Sequence, residues 1–264
     1  MKICVAGACG RMGRRILEMA AADGVEVGSA LDISDNRGVE LVYGMESGIS
    51  GKITVTDSPG EALSNADVLI DFTQPEGCVR NVMAAVQLGR PAVVGTTGLG
   101  PDQIEILRQA SQQVAVVHAP NMSVGVNLLF KLVQEVASIL GPSYDVEIVE
   151  SHHNRKKDSP SGTALRLAER VAQGLNWNLD DVIRHGREGM VGPRSGREIG
   201  MHAVRGGDIV GEHTVMFIGP GERVELTHRA HNRDNFARGA LVAAKFAVTA
   251  PPGLYDMQDV LGLK

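Results

Sequence analysis

The chain opens on Lys2-Ile3-Cys4-Val5-Ala6, a short apolar strand that runs directly into Gly7-Ala8-Cys9-Gly10-Arg11-Met12-Gly13 and then into a helical pattern carrying Met12, Ile16, Met19 and Ala20. A strand, a glycine turn and a helix in immediate succession leave few folds open. The helix has to pack back on its own strand, and the next strand then enters parallel through a right-handed crossover. The pattern recurs. Val25–Leu31, Ala66–Thr73, Pro91–Gly98 and Val114–Asn121 read as strands or as strands feeding small-residue loops, with Pro75–Leu88 and Asp102–Gln113 as helices among them. Strands alternating with helices predict a Rossmann-like α/β parallel sheet.

In such sheets ligands gather at the carboxyl ends of the strands. The spacing here is GxxGxxG, which supplies the tight turn, the backbone N–H groups and the close helix–strand approach that a pyrophosphate needs. Candidate cofactor residues are therefore Gly7, Ala8, Cys9, Gly10, Arg11 and Met12, with Gly95, Thr96 and Thr97, and Ala119, Pro120, Asn121 and Met122, on later loops of the same edge. Asp32 ends the second strand 25 residues after Gly7, where a ribose-binding acid is expected. Ile33 follows it where a cation would suit a 2′-phosphate, and Arg37 is the nearby substitute. The residues thus favour NADH as cofactor, with NADPH as the other possible donor.

The second half changes character. A helix is predicted over 126–140, capped near Ser123, and then a strand from Tyr144 to Ser151. Arg197–Arg205, Ile209–Ile218 and Arg223–Ala230 read as strands, and their connections Gly206-Gly207-Asp208 and Gly219-Pro220-Gly221 have the chemistry of hairpin turns. A mainly antiparallel sheet follows from that reading. Phe236–Val248 is helical again and is expected to return to the first domain. The expected division is 1–122 with 233–264 as the dinucleotide-binding domain and 123–232 as an α+β substrate-binding and oligomerisation domain.

Between the Tyr144 strand and a helix patterned on Ala164, Leu167, Ala168, Val171, Ala172 and Leu175 lies the densest chemistry in the chain, Glu150-Ser151-His152-His153-Asn154-Arg155-Lys156-Lys157-Asp158-Ser159-Pro160-Ser161-Gly162-Thr163. The serines can cap, Pro160 suits a helix entry and Gly162 lets a ligand approach backbone N–H groups closely. A helix start beside three cations suits a small anion. His152 and His153 are adjacent and point to opposite faces of an extended backbone, so one is read as a proton-transfer group and the other as an orienter or ligand contact. Adjacent histidines lack chelating spacing, and no metal is expected. His213, His228 and His231 are read as satisfied or exposed residues of the sheet.

A formal net charge of −5 and 3% aromatic residues exclude a basic, stacking surface for nucleic acid. Polar and proline breaks in the longest stretch without Asp, Glu, Lys or Arg side chains, 109–130, argue against a membrane span there. Three cysteines and a first strand that begins at Lys2 suit a cytoplasmic protein.

Six blocks together resemble the dihydrodipicolinate reductase family from end to end: Val5–Gly13, Asp71–Gly77, Gly95–Gly98, Asn121–Asn127, the HHxxKxDxPSGTA run His152–Ala164, and Gly207–His213. The resemblance implies nicotinamide-dependent reduction of a cyclic unsaturated imine dicarboxylate in the diaminopimelate route to lysine, by a homotetramer joined through its antiparallel sheets. It implies His152 as the acid/base residue and Lys156 as a second proton donor or charge stabiliser. It also implies that His153 and the Gly162-Thr163 backbone hold a substrate carboxylate. Two other readings stand beside it: a different two-domain dehydrogenase of amino-acid metabolism, which would lack the His152–Ala164 loop, and an NAD(H)-sensing protein without catalysis.

Overall fold

The computed structural model describes residues 1–264 and resolves into two compact units, Met1–Val124 with Arg233–Lys264, and Gly125–Asn232. The first unit runs β1 (Lys2–Ala6), α1 (Arg11–Ala22), β2 (Glu26–Leu31), β3 (Glu40–Tyr43), β4 (Gly51–Thr56), α2 (Pro59–Ser64), β5 (Val68–Asp71), α3 (Pro75–Gln87), β6 (Ala92–Val94), α4 (Pro101–Ala110) and β7 (Ala115–His118). The second holds α5 (Val124–Leu140), β8 (Asp145–His152), α6 (Gly162–Leu175), α7 (Leu179–Val182), β9 (Ile183–His185), β10 (Ile199–Arg205), β11 (Gly211–Gly219) and β12 (Glu222–Ala230). The chain then returns to the first unit with α8 (Asp234–Thr249), β13 (Gly253–Tyr255) and α9 (Met257–Val260).

The sheet of the first unit has the order β13-β7-β6-β5-β1-β2-β4-β3, parallel except for the β3–β4 hairpin. Central strands are buried on both faces, which is why they read as unbroken apolar runs. Ile3 and Val5 face one core with α1 and α8, while Cys4 and Ala6 face the other with α3 and α4. Each such buried aliphatic side chain contributes roughly 1.5–3 kcal/mol. The pattern analysis did not reveal β3, β4 or β13. All three are short and lie at or next to a sheet edge, and only one of the six residues of β4, Val55, is fully buried, which leaves little apolar pattern to detect.

The second sheet, β12-β11-β8-β10-β9, corrects one expectation. Its longest ladder, β11 with β12, is antiparallel, β11 also pairs antiparallel with β8, and Pro220-Gly221 does turn a hairpin. The Gly206-Gly207-Asp208 turn does not. β8 lies between β10 and β11, and β10 runs parallel to it. That turn instead crosses the end of β8, where Gly206 N–H donates to the His152 carbonyl and Asn154 N–H donates to that of Gly207. The physical reason is the inner face of β8: Val146, Ile148, Glu150 and His152 are all buried there, and the strand carrying them is paired on both edges. Helix α5 with its following turn is the one segment long and apolar enough to cross a membrane. Its Val126, Leu129, Phe130, Val133 and Ala137 instead pack with Leu167 and Val171 of α6 in the core of this unit.

Candidate functional site

In the first unit the turn after β1 is shaped by its own hydrogen bonds. Gly7 and Ala8 N–H both donate to the Leu31 carbonyl, Gly10 N–H donates to that of Gly7, and Cys9 N–H donates to Asp32 Oδ2 at 2.7 Å. These donors are spent inside the turn. Arg11 and Met12 open α1, where no side chain caps the helix end. Two glycines are obligatory: Gly7 has φ +78°, and a Cβ on Gly13 would stand 2.2 Å from the Gly7 carbonyl oxygen.

A cleft of about 490 Å³ lies at this edge. Of the residues singled out in the sequence, Gly10, Arg11, Met12, Gly95, Thr96, Thr97, Pro120, Asn121 and Met122 line it, whereas Gly7, Ala8, Cys9, Asp32 and Ala119 do not. Phe72, Thr73, Gln74, Arg233 and Phe236 complete the wall. Asp32 accepts three hydrogen bonds, from Cys9 N–H, Ile33 N–H and Asn36 Nδ2, so it braces the glycine turn from the end of β2. Thr96 is buried; its hydroxyl donates to Asp71 Oδ1 at 2.7 Å and accepts from Thr73 N–H at 2.9 Å. Asp71, fully buried, also accepts from the Thr73 hydroxyl and from Asn81 Nδ2, which ties the loops after β5 and β6 together. A lone acid ending an otherwise apolar buried strand is the signal by which Asp71 could have been found.

The second unit holds a buried polar cluster built on alternate residues of three strands. Glu150 and His152 share a face of β8, being two apart, and His152 Nδ1 lies 2.6 Å from Glu150 Oε2. Arg205 of β10 grips Glu150 with two N–H···O bonds of 2.8 Å, and Ser161 N–H donates to Oε1 at 3.0 Å. From β11, His213 meets His152 edge-on at 5.2 Å between ring centres and reaches the Ser161 hydroxyl through Nε2 at 3.1 Å. That hydroxyl also caps α6 by accepting from Ala164 N–H. Gly162 and Thr163 are the first residues of α6, and no atom lies within 4 Å of where a Cβ on Gly162 would sit. His153 points away from the cluster and is half-buried. Lys156 is half-buried and ion-paired with Asp158 at 2.9 Å, while Arg155 and Lys157 are exposed.

His213 therefore differs from its reading as an ordinary sheet histidine, since it belongs to the His152 cluster. Glu150, Arg205 and Ser161 are the other members that pattern analysis did not assign. The i,i+2 relation of Glu150 to His152 was visible, but the neighbouring strands were not. Burial would raise the Glu150 carboxyl, yet the bonds from Arg205, His152 and Ser161 outweigh it and hold it below the usual carboxylate range. Burial lowers His152, with Glu150 pulling the other way. Burial also pushes His213 down to about 3.

This has a consequence for stability. As pH falls below 6.5 the unfolded chain protonates His213 and the folded chain does not, so the unfolded state binds more protons and stability falls. Between pH 6.5 and 5, His213 alone is expected to cost about 2 kcal/mol, at about 1.4 kcal/mol per pH unit. His118, His152 and His228 are lowered too and act in the same direction. Glu147, held near 2, and Glu150 stay ionised across this window. Urea unfolding of His213→Asn at the two pH values should show a shallower pH dependence than wild type. An unchanged slope would mean that His213 protonates as easily folded as unfolded.

A dinucleotide-type sheet with an open glycine turn, in a chain whose other unit carries a buried cluster of Glu150, His152, Arg205 and His213, fits a two-unit nicotinamide-dependent oxidoreductase. Residues 1–122 match the N-terminal model of dihydrodipicolinate reductase and residues 125–261 the C-terminal one. The chain belongs to the dihydrodipicolinate reductase family. It is 50% identical to a 4-hydroxy-tetrahydrodipicolinate reductase of Citrifermentans bemidjiense, with all of both chains covered, and 47% identical to one of Nitrosomonas europaea, covering all of this chain and 99% of that one. A dipicolinate-bound dihydrodipicolinate reductase from Paenisporosarcina sp. TG-14 shares the fold at TM-score 0.74 and 23% identity over 98% of each chain.

Proposed function

We propose that this protein reduces 4-hydroxy-tetrahydrodipicolinate to tetrahydrodipicolinate in the cytoplasm, on the diaminopimelate route to lysine, and that NADH is its preferred donor. The observation that carries the reading is the buried His152 beside a half-buried Lys156 and the exposed start of α6 at Gly162, within a chain related end to end to reductases of that substrate. The glycine turn and cleft of the first unit suit a dinucleotide, with Arg11 and Met12 offered to its phosphates and the 95–97 and 120–122 loops to the rest. When bound, the nicotinamide supplies a hydride. Loss of the 4-hydroxyl as water leaves a conjugated C=C–C=N system, and after the hydride adds to it His152 supplies the proton that quenches the electron density left there, while Lys156 stabilises that charge as it develops. His153 and the Gly162-Thr163 helix start take up a substrate carboxylate.

Loss of nicotinamide absorbance on adding the imine substrate is the test, and no loss at micromolar enzyme refutes the reading. We also place the protein in a homotetramer joined through the β8–β12 sheet. Light scattering should give four times the 28.0 kDa of the chain, and a monomer overturns that assembly.

A further inference from the structure

We infer that Glu150, held by Arg205, is the positioning residue that fixes the imidazole of His152 in its Nδ1–H form and directs Nε2 along Gly211 as the proton-transfer atom. The inference rests on the reading of His152 as the acid/base group. Four observations carry it. Glu150 has no exposed surface and lies two residues from His152 on β8, with Oε2 2.6 Å from Nδ1. A carboxylate can only accept, so Nδ1 must carry the hydrogen. Arg205 spans both carboxylate oxygens and Ser161 N–H adds a third donor, so the acceptor role of Glu150 is overdetermined. At the other end of the ring, a Cβ on Gly211 would lie 3.0 Å from Nε2, so a side chain at that position of β11 would press on that nitrogen.

The charged and titratable groups around His152 are Glu150 on its own strand, Lys156 in the following loop, Arg205 on β10 and His213 on β11. Only Glu150 favours the protonated imidazole. Removing its charge lowers the affinity of His152 for its second proton, so the alkaline limb of the kcat–pH profile, where the acid is lost, moves to lower pH. A mere packing defect would leave the limb in place.

The test has two arms. Proton–nitrogen correlation spectra of ring-labelled wild-type enzyme should show His152 as the Nδ1–H tautomer at neutral pH; an Nε2–H tautomer overturns the inference whatever any variant does, and whether or not the imine is the substrate. Glu150→Gln should then lower kcat by about 10²-fold, shift the alkaline limb downward and leave nucleotide affinity unchanged. Wild-type kcat and an unmoved limb in that variant also overturn it. Absence of imine reduction by wild type refutes the proposed function, while the tautomer measurement still decides the role of Glu150.

Discussion

Replacing His152 by alanine is expected to lower turnover by about 10²–10⁴-fold, the range a positioned acid–base group contributes, with nucleotide affinity almost unchanged. The two expectations separate because His152 lies in the second unit and the glycine turn and its cleft are built wholly from the first. The side chain is buried, so its removal also leaves Glu150 and Arg205 without one partner of their network. An unfolding curve is therefore measured beside the kinetics, to separate lost chemistry from lost fold. Lys156→Ala belongs in the same series and should lose turnover too, because Lys156 is half-buried and held by Asp158. Lys157→Ala is the control, its side chain being exposed. Turnover of His152→Ala close to wild type removes His152 from the chemistry, and an equal loss in Lys157→Ala moves the cation to the neighbouring position.

The second large effect concerns cofactor choice. Asp32 sits at the end of β2 with both carboxylate oxygens already bracing the turn, and its remaining acceptor site suits a ribose hydroxyl. A 2′-phosphate would bring a charge of about −1.5 to −2 beside it. At about 4 Å each unit pair costs about 1 kcal/mol in water and about 4 kcal/mol at an effective dielectric near 20. The next residue, Ile33, is exposed and carries no charge to offset this. Arg37 is turned to Asp57, 3.4 Å away, so recruiting it means giving up that pair. We expect kcat/KM to favour NADH by about 10²-fold, a factor equivalent to about 3 kcal/mol. Ile33→Arg should shift the ratio at least about fivefold toward NADPH, as one favourable charge pair is worth at least about 1 kcal/mol here. A wild-type preference for NADPH means that Arg37 or another cation reaches the phosphate.

The division between what local sequence and tertiary structure decide follows the range of the interactions. The alternation of apolar strands with amphipathic helices, the Gly7–Gly13 turn, the Asp32 strand end and the His152–Ala164 loop were legible because each is written within about thirty consecutive residues. Periodicity, caps and turn chemistry act over that distance. Three things were not legible. The insertion of β8 between β10 and β11 depends on pairings more than fifty residues apart, and a glycine turn after β10 looks the same whether it closes a hairpin or crosses a strand. The brace of Asp71 joins loops on two different strands. The third is the His152 cluster, where Glu150 is local but Arg205, Gly211 and His213 arrive on neighbouring strands. The sequence by itself determined the run of residues proposed to carry the chemistry and the kind of loop on which they sit. Only the tertiary structure decided which buried groups orient and charge them, because a carboxylate, a guanidinium and an imidazole become partners only when strand pairing takes them out of water together.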